Sequence, residues 1–273
     1  MRTETYSTPG PLLLNLEIPA GEIEIDTSNT DETHIELEAV SNNDAVRDLV
    51  DNSRIELVRR GDGHEVIVEA KSRQGIFISL SRGPDIRFGG PDVRLRITCP
   101  KGADLDVRTK SADLRARGEY GGVEIKTASG DVHLDQAQTS LEVQSVSGDL
   151  HVGSVGGDLR AQLVSGDVHV RDARASIGAN TVSGDQNFEA VLKGRIELKA
   201  ISGDVTVGIR SGARVFVDAN TVSGSTSSEL DLGDAPAQAP APDSPLVEVF
   251  AKTVSGDVRI ERAPALVEAT EQS

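Results

Sequence analysis

The chain has 273 residues and a formal net charge of −16, from 44 Asp and Glu against 28 Lys and Arg. That balance repels phosphate, which excludes nucleic acid as a partner and disfavours anionic membrane surfaces. Hydrophobic residues make up 37%, enough for a packed core, but aromatics are only 3% and Trp is absent; the core must therefore come from Val, Leu, Ile and Ala on many short strands, with 27 Gly marking the turns.

The N-terminal stretch "MRTETYSTPGPLLLNLEIPAG" carries Glu4 and only a short apolar run. A secretory leader needs a longer uncharged core, and no stretch approaches the ~18 apolar residues of a membrane span. Cys99 is the only cysteine, so no internal disulfide can form. Together these features predict a cytoplasmic protein with no direct membrane insertion. Gly21–Ser28, "GEIEIDTS", is similar to Gly102–Ser111, "GADLDVRTKS", and Pro-x-Gly leads into both, at Pro19 and Pro100. This predicts an early coil-like segment. Alternation of apolar and polar residues predicts strands at His34–Ala39, Arg54–Arg59, Glu65–Lys71, Ile76–Leu80 and Val93–Cys99. Between the first two, "NNDAVRDLVDN" has helical spacing at Ala45, Val46, Leu49 and Val50. The Gly/Pro-rich "RQGIFISLSRGPDIRFGGPD" reads as a surface hairpin or contact site. Residues 1–100 are thus expected to be a β-rich lead-in that caps the open edge of the first coil.

Beyond residue 100 the chain repeats itself. A Ser-Gly-Asp motif recurs with its serine at Ser111, Ser129, Ser147, Ser165, Ser183, Ser202, Ser223 and Ser255, the first copy reading "SAD" and the seventh "SGS". The steps are 18, 18, 18, 18, 19, 21 and 32 residues. Two residues after each glycine comes a column of Leu114, Val132, Leu150, Val168, Gln186, Val205, Thr226 and Val258. A second column begins each following strand at Leu105, Val123, Leu141, Leu159, Ile177, Ile196, Val215 and Val247. Each column is followed two residues later by another, the period that sends both to one face of a strand. One unit cannot bury such a row alone, but stacked units share a continuous core. The fold class predicted is all-β: a single-chain parallel β-solenoid of about 18-residue coils, covering residues 101–262. A Pro/Ala-rich loop is expected at 231–245 and a flexible tail at 263–273. Positive φ at the corner calls for Gly, and Ser and Asp there serve as turn acceptors. Gln186 and Thr226 should weaken the packing where they interrupt their column. The residues just before the motif serine (Ala128, Val146, Val164, Val182, Ile201, Val222 and Val254) are expected in the core, so that Val164→Asp would cost several kcal/mol.

The columns and the recurring "SGDV" and "SGDL" triplets resemble a bacterial family of adhesin-like β-strand-repeat proteins of unknown function. The likeness covers about 100–262 and includes the "CPKGADLDVRT" entry from Cys99 to Thr109. The resemblance implies a surface-binding role and carries no catalytic motif. The coil length also resembles that of bactofilins, cytoplasmic β-helices that polymerise end to end.

Two constellations invite a metal. Asp131, Asp149 and Asp167 belong to a carboxylate ladder, which could hold weak Ca²⁺ sites or could accept backbone N–H bonds, each within its own turn. The GGxGxD nonapeptide of calcium-binding repeats is absent, which favours turn chemistry. His133, His151 and His169 occupy one place in three successive units, and a column of imidazoles could take Zn²⁺, Ni²⁺ or Cu²⁺, although a straight ladder is poor tetrahedral geometry. No Ser nucleophile elbow, phosphate loop or metalloprotease His pair occurs, and Cys99 reads as a buried strand-end residue. The expectation is a protein with no enzymatic activity and no cofactor, an interaction or scaffold module for a protein partner or for itself. The alternatives are a self-assembling filament subunit and a carbohydrate-active β-helix enzyme.

Overall fold

A computed structural model of the chain describes residues 1–41, 44–70, 93–230 and 244–263. They fall into two compact units: Met1–Gln138 with Glu142–Gly148, and Thr139–Leu141 with the chain from Asp149 onward. The expected strand Ile76–Leu80, the "RQGIFISLSRGPDIRFGGPD" segment, most of the Pro/Ala-rich loop and nearly all of the tail lie outside the described residues.

The first unit holds β1 (Arg2–Ser7), β2 (Leu12–Ser28), β3 (Glu32–Ala39), α1 (Asp44–Asp51), β4 (Arg54–Arg60), β5 (Gly63–Glu69), β6 (Val93–Pro100), β7 (Ala103–Ser129), β8 (Val132–Ala137) and most of β9 (Leu141–Ser147). Alternation in "LLLNLEI" puts Leu12, Leu14, Leu16 and Ile18 on one buried face. β2 is a whole coil, parallel to β7 with Leu14 opposite Leu105, Leu16 opposite Val107 and Ile23 opposite Leu114. It turns at Gly21, where φ is +125° and a Cβ would lie 1.9 Å from the Val93 carbonyl oxygen. On its other edge β2 pairs in parallel with β5 and β6, Leu16 opposite Val68 and Ile25 opposite Ile97. β5 and β6 follow β2 in the chain but lie outside it in the stack. Antiparallel pairings then finish the sheet: β6 with β3, β3 with β1, and β5 with β4. The last strands, β1 and β4, carry Arg2, Glu4, Arg54, Glu56, Arg59 and Arg60, charges that make an edge a poor template for a further strand. Helix α1 buries Val46, Leu49 and Val50, the stripe expected from its spacing. β7 continues the parallel stack with β8, Leu114 opposite Val132, and with β9.

The outer face of β6, β2 and β7 is laced by charge. Arg94 Nε donates to Glu22 at 3.2 Å, and Arg115 binds the same carboxylate from the other side. Arg96 Nε donates to Glu24 at 2.9 Å, with Arg117 3.9 Å away. The Arg96 bond holds the Glu24 carboxyl below the ordinary carboxylate range. These pairs supply register between neighbouring strands more than net stability.

The second unit is two parallel ladders joined at the Ser-Gly-Asp corner. Its strands are β10 (Leu150–Val155), β11 (Leu159–Ser165), β12 (Val168–Ala173), β13 (Ile177–Ser183), β14 (Gln186–Val191), β15 (Gly194–Ser202), β16 (Val205–Ile209), β17 (Arg214–Ser223), β18 (Thr226–Ser228), β19 (Leu246–Ser255) and β20 (Val258–Arg262). One ladder runs β11, β13, β15, β19, β17. The other runs β10, β12, β14, β16, β20, β18. The parallel β-solenoid is therefore the fold. Its coils, however, do not stack in chain order: the coil of Ser255 lies between those of Ser202 and Ser223, so among the described residues the penultimate coil of the sequence is the last of the stack. The inward register also differs from simple counting. Ile196 stands opposite Val249, and Val249 opposite Val217, because the strands align on the motif serine and the extra residues fall at the strand starts. The shift is two residues, so every side chain keeps its face.

Gln186 is half-satisfied in the core: its Oε1 is buried without a hydrogen-bond partner among the described residues. The residue is 1% exposed, and its amide donates to Thr181 Oγ1 and to the Lys199 carbonyl, both at 2.9 Å, which compensates part of the cost of burying it. Thr226 is exposed because its coil ends the stack.

Candidate interaction surface

Each Ser-Gly-Asp corner is built from the backbone upward. At Gly184 φ is +134°, and a Cβ would lie 2.1 Å from the carbonyl oxygen of Gly166 one coil away. Glycine is required both for the left-handed turn and for this close approach. The aspartate then ties coil to coil. In the second unit Asp149, Asp167, Asp185 and Asp204 each use Oδ1 to accept the N–H of the next coil's aspartate, at 2.8 Å throughout. In the first unit Asp113 accepts the N–H of Asp131 at 3.0 Å. The acceptors thus serve the neighbouring coil and not their own turn. The run ends at Asp257, which takes both the N–H and the hydroxyl of Ser225, at 2.8 and 3.0 Å. Those bonds lower its carboxyl below the ordinary value.

The residues before the motif serine are not in the core. Val164 is 48% exposed, Val182 45%, Ile201 54% and Val254 50%, while Val222 in the last coil is 82% exposed. Leu163 faces inward and is buried, so period 2 sends Val164 outward. The strand register sets each mid-stack member beside its like neighbours above and below. The result is a ridge of β-branched side chains along the outside of one ladder. Counting columns identified its members; what it missed was the face, because a recurring apolar residue was read as inward although alternation along the strand places it outward.

Across the corner a polar column faces solvent. His151, His169, Asn187, Thr206 and Arg259 stand opposite one another on β10, β12, β14, β16 and β20. With the corner carboxylates they line a groove of about 440 Å³. The His151 and His169 rings have centroids 5.9 Å apart, and His169 Nε2 lies 3.0 Å from Glu189. His133 belongs to the other unit, on β8 opposite Arg115. Among the described residues no group of three or more His, Cys, Asp or Glu is placed to hold a metal ion. Cys99 is fully buried, and desolvation pushes its thiol up to about 12, which leaves it protonated and inert.

Parallel coils with glycine corners, inter-coil aspartates and an aliphatic interior define a parallel β-solenoid. The profile of the Toastrack DUF4097 family matches residues 14–261, and the chain belongs to that family. A crystal structure named a "putative adhesin" from Bacteroides fragilis NCTC 9343 shares the fold, with a TM-score of 0.51 at 12% identity over 95% of this chain and 96% of the other. One of the same description from Parabacteroides distasonis ATCC 8503 gives 0.49 at 10% identity, over 94% and 96% of the two chains. No curated protein matches. Among the described residues no helix is long and apolar enough to cross a membrane.

Proposed function

We propose that the chain is a non-catalytic interaction module, and that a protein partner lays an extended segment along the Ser-Gly-Asp corner. The observation that carries this reading is the ridge: five apolar side chains in the second unit, held in coil register and exposed beside a column of hydrogen-bonding groups. A dry stripe flanked by donors and acceptors suits a strand-like partner, whose alternate side chains would meet the two in turn. The adhesin names of the structural relatives agree with a binding role. A cytoplasmic site of action, the expectation from a lone thiol, is part of the proposal, and fractionation of the native cells tests it.

The ridge is tested by capturing partners from the native cells with the wild-type chain and with a Val182→Lys, Ile201→Lys variant. The variant should keep its melting temperature and lose a partner that the wild type retains. Equal capture by both chains would overturn the assignment. Turnover of an acidic polysaccharide in a substrate panel would favour an enzyme instead.

A further inference from the structure

We propose that two copies of the chain associate tail to tail through the free edge of β17, as a closed dimer. This contact shares only Val222 with the corner ridge and stands whether or not the ridge binds a partner.

The direction of the backbone bonds locates the edge. In the second unit the inward residues donate to the next coil: Leu159 to Ser176, Val168 to Asp185, Val258 to Ser225. Outward Arg214 donates back toward β19, to the Pro245 carbonyl at 2.8 Å. By alternation, the N–H and C=O groups of Val215, Val217 and Ala219 point away from β19. Among the described residues β17 has no other ladder partner. Its inward row is also unfinished. Val247, Val249 and Ala251 of β19 are 0% exposed, whereas Val215, Val217 and Ala219 opposite them are half-buried. On the outer face Arg195 lies over the Phe250 ring at 4.3 Å, Phe250 meets Phe216 at 5.8 Å, and Phe216 is left exposed.

This edge is complementary to itself. Antiparallel pairing centred on Ala219 would oppose Ala219 to its own copy and Val217 to Thr221, all with bonding groups on the free side. On the outer face it would oppose Asp218 to Asn220 and bring Phe216 toward Val222, and no like charges would meet. Asn220 Nδ2 already donates to Asp218 at 2.7 Å within one chain, so the two pairs would form a polar cluster across the axis. Pairing centred on Asp218 would set that carboxylate against itself. A head-to-tail polymer would need a second receptive edge, and β1 and β4 are charged. An isologous contact closes at two copies.

Sedimentation velocity on the full chain across a wide concentration series, with hydrogen exchange on the same samples, tests the proposal. We expect a species of twice the 28.8 kDa chain mass, with the Val217 and Ala219 amides slowing as dimer accumulates. Ala219→Pro removes an N–H that β19 does not use and should weaken the dimer about tenfold or more. Asn220→Asp sets carboxylates against each other across the axis and should also weaken it. A monomer at every concentration with those amides protected would mean that the chain covers its own edge. Species growing beyond the dimer would mean a filament. Variants that dimerise like the wild type would place the contact elsewhere. Each of these overturns the proposal.

Discussion

At the level of single residues, the corner glycines separate two effects of a missing Cβ. At Gly184 the backbone is left-handed and a Cβ would strike a carbonyl, so Gly184→Ala should cost at least about 2 kcal/mol. At Gly178 φ is ordinary and nothing lies within 4 Å of a new Cβ, so Gly178→Ala should stay within about 0.5 kcal/mol of the parent or gain slightly. Thermal melts of the two variants check both. The valines separate in the same way. Val170 is fully buried, and Val170→Asp should cost about 4 kcal/mol or more. Val164→Asp, on the exposed ridge, should cost about 1 kcal/mol, chiefly through lost packing in the ladder. Residue chemistry at the turns was legible because only glycine suits a left-handed corner. The face of Val164 was legible as well, since it stands three residues from inward Ala161 and so on the opposite face of β11; a recurring apolar column outweighed the period.

Among elements, the departures from the repeat explain one another once the stacking order is known. The seventh copy lacks aspartate and reads Ser223-Gly224-Ser225, and its coil carries both Thr226 and Ser228 where the other coils, Gln186 apart, carry inward apolar residues. That coil ends the stack, so a corner carboxylate there would find no further N–H, and its inward positions face no further layer. Sequence columns revealed the coils but not their order, because coils with matching columns can exchange places without moving an apolar residue out of register. Only the paired polar substitutions of one coil, Thr226 with Ser228, together with the missing aspartate, marked the end. The Asp ladder predicts a stability effect: Asp185→Ala leaves the N–H of Asp204 without its 2.8 Å partner and should cost about 1 kcal/mol, read by chemical denaturation. It also predicts a pH effect. The Asp257 carboxyl is lowered from its ordinary 3.8 by the Ser225 bonds, so its contribution is present above that value and fades as pH falls through the lower, folded-state one. Ser225→Ala keeps the backbone donor and removes the hydroxyl, and should move the Asp257 titration part of the way back toward 3.8, as followed by carboxyl NMR.

For the molecule as a whole, charge and fold pull against each other. The aliphatic columns need only shape and period, which is why the solenoid was readable from the chain while its partner was not: partner recognition rests on outward positions that the core leaves unconstrained. The chain carries a net charge of −16. The cross-strand Arg–Glu pairs of the first unit offset some of this, but exposed pairs contribute little each and weaken in salt. Repulsion among the excess carboxylates weakens in salt as well, and with 44 acidic residues against 28 basic it is the larger quantity. Added sodium chloride should therefore raise the melting temperature. It should also tighten the proposed tail-to-tail dimer, because two copies of like charge approach each other while the contacting edge itself is nearly neutral. A melting temperature that falls steadily with salt would show instead that the ion-pair ladders, not the repulsion, dominate the electrostatics of this chain.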